Sequence, residues 1–320
     1  MNRKLFFFMM TALTLSACSS DSDPQAPGRS EIRLFSEVAS QTRALNDLEA
    51  LQDEQFANDT TISVYLNDNL DVDYSNYTDY SPMEYTADGS GGLTPTTTQY
   101  FPTNGNSVSV RACHPTRAWG SYDFAVWADQ AGTANYNDSD LMWAFLDGIS
   151  NTSDASDCTL AFTHKLSKIV VQLKVGLGFT ADQLAGATIA LGDENNKVIM
   201  NGEFNYTNGE FSIADGTNTT ITSDIITVAT NAGTSEHAAV VVPQDMGGKK
   251  IAITIGNKTA YYPIAADTEF ETGKVYTYKL NVSMTGITLS SVSISNWNNG
   301  SQGGTGDPDA DHSETEILVL

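Results

Sequence analysis

The sequence predicts an all-β protein built as two β-sandwich domains in tandem, and three observations carry that prediction. Short alternating apolar runs recur about every 8 to 12 residues with turn-forming residues between them. Charge is sparse: 17% of residues are charged, 16 basic against 39 acidic, and they are set among Thr, Ser, Asn and 25 glycines rather than in the paired lattice of a helical surface. At 320 residues, 40% of them hydrophobic, the chain is long enough to bury two cores. The net charge of −23 argues against binding to a nucleic-acid backbone, because that affinity depends on lysine and arginine displacing counterions.

The first element is a leader. Arg3 and Lys4 form a basic start, and Leu5 to Ala17 form an apolar run of 13 residues, shorter than the roughly 20 that a bilayer span requires. The run ends in Leu15-Ser16-Ala17-Cys18, which resembles the lipobox of bacterial lipoproteins, where cleavage after the small residue frees a cysteine whose sulfur takes a diacylglycerol. Residues 1–17 are thus expected to be a lipoprotein signal peptide, with Cys18 as the lipidation site; a plain cleaved signal is the alternative. Ser19-Ser20-Asp21-Ser22-Asp23 resembles the acidic tag of surface-exposed lipoproteins, and residues 18–30 read as a tether. With no other apolar run of spanning length, lipid is the expected anchor to the outer membrane.

The N-terminal domain is expected over residues 31–176. Glu31 to Ala39 alternates, with Ile32, Leu34 and Val38 at even spacing, and reads as a strand. Thr61 to Leu66 is a second alternating run. Asp68 to Tyr80 and Asp88 to Gly92 read as loops, followed by β-rich pieces at 98–102, 107–112 and 122–128. Ser139-Asp140-Leu141-Met142 suits a helix cap, although Trp143 and Phe145 suit a strand equally well. Leu166 to Val175 has the strongest alternation, with Ile169, Val171, Leu173 and Val175 on an apolar face and Lys168, Val170, Gln172 and Lys174 on a mostly wet one.

A second domain is expected over 177–297. Thr180 is placed to cap a helical turn at Ala181 to Leu184. Asn208-Gly209 marks a hairpin between strands at 203–206 and 210–213. Further strands are expected at 238–242, 250–255, 274–282 and 287–294, with Trp297 closing the domain. Residues 298–313 are a Gly/Asp linker, and Glu314 to Leu320 (ETEILVL) is an apolar segment of strand length. The segment either folds back as a last strand of its own domain or serves a neighbour.

Little in the chain points to catalysis. His114, His164 and His237 are scattered, and there is neither a Gly-x-Ser-x-Gly elbow nor a His-Glu-x-x-His motif. His164 is the strongest candidate for a hydrolase base, yet a structural histidine at a strand entrance outweighs it. No metal site or cofactor is expected: Asp307, Asp309, Asp311, Ser313 and Glu316 alternate as in a calcium loop, but His312 and Leu318 occupy the positions that need glycine and glutamate. Asp68, Asp71 and Asp73 make a weaker calcium candidate. Tyr74, Tyr77 and Tyr80 offer aromatic surface in an Asp/Asn-rich loop, where sugar contact competes with simple packing. Cys113 and Cys158 are either a disulfide or two buried thiols.

Several motifs in a fixed order resemble the fimbrillin family, the lipoprotein subunits of type V pili. They are the lipobox at Cys18, Thr42-Arg43-Ala44, Tyr100-Phe101-Pro102, Ser139-Asp140-Leu141-Met142, Phe162-Thr163-His164-Lys165-Leu166-Ser167-Lys168-Ile169, and the stretch from Gly273-Lys274-Val275-Tyr276 to Ile294-Ser295-Asn296-Trp297. The resemblance implies transthyretin-like sandwiches, export to the cell surface, and arginine-specific cleavage that removes the first strand, residues 31–43, and opens a groove. Arg43 is the expected site, with Ala44 the new N-terminus. Cuts at Arg29 or Arg33 would leave most of that strand in place. The expected function is a stalk or accessory subunit of a type V fimbria, without enzymatic activity, polymerising with like or related subunits. Donor-strand exchange would place Ile317, Leu318, Val319 and Leu320 of one subunit in the groove of the next. The alternative is a tip adhesin or surface glycan-binding lipoprotein with a host glycan or protein as partner.

Overall fold

A computed structural model describes residues 30–38, 55–68, 83–102, 105–116, 123–213, 220–231 and 233–297. It is nearly all β, with two short helices among the described residues. The first seven strands to share a sheet are β1 (Leu34–Val38), β2 (Thr61–Asp68), β3 (Met83–Ala87), β4 (Gly92–Pro95), β5 (Val108–His114), and, after a short excursion, β7 (Met142–Ile149) and β8 (Thr159–His164). The excursion holds β6 (Asp123–Ala125) and α1 (Thr133–Asp138). The strand order β1-β4-β3-β2-β5-β7-β8 closes on itself, so β8 returns to β1 and the sheet is a barrel where alternation alone suggested a sandwich. Its interior is one apolar cluster that includes Leu34, Ile62, Val64, Tyr85, Val110, Leu160 and Phe162.

The second core is built on β9 (Ser167–Val175), followed by α2 (Ala181–Ala185), β10 (Thr188–Leu191), β11 (Val198–Ile199), β12 (Asn201–Asn205) and β13 (Glu210–Ser212). Short strands β14 (Ser223–Asp224), β15 (Ile226–Thr227) and β16 (Ala229–Thr230) lead into β17 (Glu236–Val241), β18 (Gln244–Asp245), β19 (Lys250–Ile255) and β20 (Lys258–Pro263). The last are β21 (Glu269–Phe270), β22 (Lys274–Ser283) and β23 (Gly286–Asn296). A five-stranded sheet in the order β16-β17-β9-β22-β23 packs with a four-stranded sheet in the order β15-β10-β19-β20. Their shared core includes Ile169, Val171, Leu173, Ile189, Ile253 and Leu280, and Tyr262 of β20 meets Tyr278 of β22 at 6.2 Å between ring centroids.

The expected boundary at 176/177 moves upstream. β9, read as the close of the first domain, lies at the centre of the second sheet, antiparallel to β17 and parallel to β22. Its alternation showed which side chains share a face but carried no information on the partner strand. Nor is its second face wet throughout: Lys168 and Val170 are each 5% exposed, Lys168 lying over the Trp297 ring, while Val175 of the apolar face is 52% exposed at the strand's end. The 123–141 excursion also belongs to the second core, where Phe124, Val126, Tyr136 and Leu141 are buried. Gln130 locks it there, its Nε2 donating to the Val240 carbonyl (2.8 Å) and its Oε1 accepting from Val240 N–H (2.9 Å).

Local signals in the second half translate well. Thr180 caps α2 in a reciprocal capping box with Gln183. The Asn208-Gly209 turn joins β12 to β13. Gly209, at φ +71°, also lies flat against the Trp143 indole, so that a Cβ there would come within 2.5 Å of the ring. Trp143 Nε1 donates to the Tyr206 carbonyl (3.1 Å) and Arg111 Nε to the Thr207 carbonyl (3.0 Å), which pins this hairpin to the barrel. Ser139 closes α1 at its C-terminal end rather than opening a helix, and Trp143 and Phe145 lie in β7.

Candidate functional site: the seat of the first strand

β1 is the element with functional content. Leu34 and Val38 are buried, as is Ile32 just upstream, while Glu37 points to solvent, so the alternation read from sequence is the alternation observed. On one side β1 runs antiparallel to β4, with Leu34 opposite Leu93 and Phe35 opposite Gly92. On the other it runs parallel to β8, from Phe35 opposite Thr159 to Val38 opposite Phe162. Parallel neighbours cannot be joined by a tight hairpin, and these two are separated by more than a hundred residues of chain. Among the described residues β1 is the first strand of the barrel in chain order, and a cut after Val38 severs no other described strand of it.

The seat is built for close approach. Ser36 N–H donates to the Gly91 carbonyl (2.7 Å), and Gly91, at φ +93°, would bring a Cβ to 3.1 Å from the Ser36 carbonyl. Upstream, Ile32 N–H donates to the Gln99 carbonyl (2.8 Å) and Phe101 N–H to the Ser30 carbonyl (2.9 Å). The floor is aromatic: Phe56 meets Phe162 edge-on at 4.8 Å and His114 at 5.5 Å. Burying Ile32, Leu34 and Val38 is worth about 1.5–3 kcal/mol each, a total comparable to the whole stability of a domain. Without β1, the edges of β4 and β8 and a strip including Leu93, Leu160 and Phe162 would face water.

A second cluster gathers three of the resemblance motifs. His164 Nδ1 lies 2.9 Å from Asp140 Oδ1, and the imidazole stacks on Trp297 at 4.0 Å with a 7° interplanar angle. Lys168 Nζ sits 5.5 Å from the centroid of the Trp297 ring, so the indole is shared between the histidine and the lysine. His164 and Asp140 are fully buried and offer no surface to a substrate, so the cluster acts as a wedge between the end of β8 and the end of β23.

The other candidates fall as follows. Cys113 and Cys158 are both buried and not joined in a disulfide, which resolves the alternative in favour of two thiols. His114 Nδ1 is 3.0 Å from the Thr61 carbonyl, and burial holds the imidazole below its ordinary pKa. Among the described residues no group of three or more His, Cys, Asp or Glu is placed to hold a metal ion, and no helix is long and apolar enough to cross a membrane. Ala17, Cys18, Arg43, Ala44, Asp71, Asp73, Tyr74, Tyr77, Tyr80 and the whole of 298–320, including Ile317, Leu318, Val319 and Leu320, lie outside the described residues. Sequence reasoning missed β3, β4 and β8, and with β4 and β8 both walls of the seat. The usable signal for β4 was the glycine pair at 91 and 92, which marks a close backbone approach as readily as a loop.

A barrel closed by its own first strand, followed by a two-sheet core, defines a class of β-proteins, and the comparisons place the chain within it. It belongs to the fimbrillin-like family, whose profile matches residues 42–297. Among curated proteins none matches the sequence. The fold is similar to that of a candidate cell adhesion protein from Bacteroides uniformis ATCC 8492, at TM-score 0.64 and 20% identity over 85% of this chain and 99% of that one. A second candidate cell adhesion protein, from Bacteroides ovatus ATCC 8483, gives TM-score 0.64 at 18% identity over 84% of this chain and 98% of the other.

Proposed function

We propose that the chain is a structural subunit, stalk or accessory, of a type V fimbria on the cell surface, made as a lipoprotein and assembled by strand exchange at the seat of β1. One observation carries this reading: β1 is a buried strand, first in chain order among those described, whose removal opens the barrel without cutting any other described strand. The family profile begins at residue 42, beyond β1 and just before Arg43, which supports treating the strand as separable from the body.

In this reading the leader is removed after Ala17, lipid on Cys18 holds the precursor in the outer membrane, and cleavage between Arg43 and Ala44 releases residues up to 43. The two cores correspond to two transthyretin-like domains. The vacated seat then takes Glu314–Leu320 of a neighbouring subunit. Main-chain hydrogen bonds to β4 and β8 supply affinity, and the pockets left by Ile32, Leu34 and Val38 take alternate side chains from Ile317–Leu320. Burial of apolar surface drives the exchange without a nucleotide or cofactor.

Mass spectrometry of the native surface protein tests the maturation steps. The expected products are a precursor acylated on Cys18 and an assembled subunit beginning at Ala44. A chain stopped at Ser313 is expected to remain folded and to form no polymers after cleavage. An assembled subunit that still contains Ile32, or a stopped chain that polymerises as well as the full one, overturns the proposal and favours an anchor or a monomeric adhesin.

A further inference from the structure

The five-stranded sheet ends in a long edge strand, β23, whose one protecting irregularity is a bulge at Ser290. β23 is 11 residues long, and among the described residues no strand pairs with its outer side. Natural edge strands are kept from pairing by shortness, by charge, by proline, by a bulge or by a covering element. The opposite edge of the same sheet, β16, has two residues, and β20, at the edge of the facing sheet, carries Lys258 and Pro263. β23 reads Gly286-Ile-Thr-Leu-Ser-Ser-Val-Ser-Ile-Ser-Asn296, without a charge or a proline.

Burial falls along β23 towards its C-terminal end. Ile287, Leu289, Val292 and Ile294 stand opposite Val282, Leu280, Tyr278 and Tyr276, all of which are buried. Their own exposure rises along the strand: Ile287 is 1% exposed, Leu289 and Val292 are half-buried, and Ile294 is 51% exposed. One more strand beside β23 would complete the cover.

The charge around this edge is also distinctive. From Thr272 to Trp297 there is no Asp or Glu, in a chain with 39 acidic residues. Lys174 donates to Ser290 Oγ (3.2 Å), Lys274 donates to Asn296 Oδ1 (2.6 Å), and Lys279 stands opposite Ser291. Glu236 on β17, two strands away from β22, accepts from Gln172 Nε2 (2.7 Å). By alternation along β22, Lys279 shares the outer face with Lys174 of β9, while Lys274 lies on the inner face two residues from Tyr276. An incoming strand thus meets an apolar strip ending at Lys274 on the inner face and two lysines on the outer one.

We propose that the open edge of β23 is the resting place, before assembly, of Glu314–Leu320 of the same chain. Strand periodicity sorts that segment into Thr315, Ile317 and Val319 on one face and Glu314, Glu316, Leu318 and Leu320 on the other. Ile317 and Val319 of the first set match Val292 and Ile294, on the stretch of β23 past its bulge, and the two glutamates match Lys174 and Lys279 on the other face. The linker starts immediately after Trp297, which is wedged against His164 at the end of β23. Sixteen residues of Gly/Asp linker span roughly 22 Å, within the roughly 37 Å length of an 11-residue strand. A tether of this length holds the segment at an effective concentration of about a millimolar. The edge is protected from chance pairing while the segment is sheltered, and neither statement depends on the segment later serving a neighbour.

Disulfide trapping in the full, uncleaved chain tests the proposal. Ser291→Cys or Ser293→Cys is combined with Leu318→Cys, with Lys258→Cys and Leu318→Cys as the control pair; the native Cys113 and Cys158 are buried. At least one β23 pair is expected to form an intramolecular disulfide at least tenfold more than the control, as read by peptide mass mapping. In parallel, Ile317→Asp with Val319→Asp is expected to speed amide exchange at Ser291–Ile294 at least tenfold. Equal trapping in all pairs, disulfides only between chains, or unchanged exchange overturns the proposal. Because no cleavage or polymerisation enters the assay, its failure leaves the strand-exchange reading standing, and the reverse also holds.

Discussion

Burial sets the ionisation of His237 and gives the molecule an acid-sensitive point. The side chain is fully buried, with Nδ1 3.0 Å from Thr230 Oγ1, and loss of solvent brings its pKa down to about 4. An unfolded histidine titrates near 6.5, so between those values the unfolded chain binds the proton and the native one does not. Stability attributable to this residue is intact above about pH 6.5 and is lost as pH falls towards 4, by about 3 kcal/mol. Urea unfolding at pH 7 and pH 4.5 is expected to show a smaller loss of stability in His237→Gln than in the parent. His114, lowered in the same direction by burial, adds to the parent's slope.

At the scale of elements, β1 contributes more than its five residues suggest, because it closes the barrel. Leu34→Ala leaves a cavity against Leu93 and the barrel core and is expected to lower stability by about 2–5 kcal/mol in denaturant titrations. Phe35→Ala, on the half-buried side, is expected to cost less. The same strand shows what sequence can and cannot reveal. Period-two alternation identified the inward set Ile32, Leu34 and Val38 correctly, as it did in β22, because burial on one face leaves a local trace. The partners left none: that β1 lies between β4 and β8, or β9 between β17 and β22, depends on contacts across long stretches of chain. Asp88 to Gly92 looks like a loop and hides the start of β4, because Gly91 and Gly92 serve close packing against Ser36 and Asp88 rather than a turn alone. The convergence of Asp140, His164 and Trp297 was likewise invisible, since three separate motifs meet only in the folded chain.

On the scale of the molecule, the two cores are bound by more than a linker. The chain leaves the barrel after β5, contributes β6 and α1 to the second core, and returns as β7. The β12–β13 hairpin reaches back and is held by Trp143 and Arg111. Calorimetry of the uncleaved chain is expected to show a single transition, and Trp143→Ala combined with Arg111→Ala is expected to resolve it into two. Two transitions in the parent would mean that these contacts do not couple the cores.

The parallel run of β1 beside β8 has a mechanical consequence. A strand that took over this seat in the same direction would give every subunit of a fibre one orientation, and the fibre would have distinct ends. Tension along such a fibre acts along the strand axis, so all bonds of the ladder bear the force together in shear rather than parting one after another like a zipper. A joint of this kind yields only when the whole strand slides, and resistance to flow would be set by the length of the seat rather than by its single strongest contact.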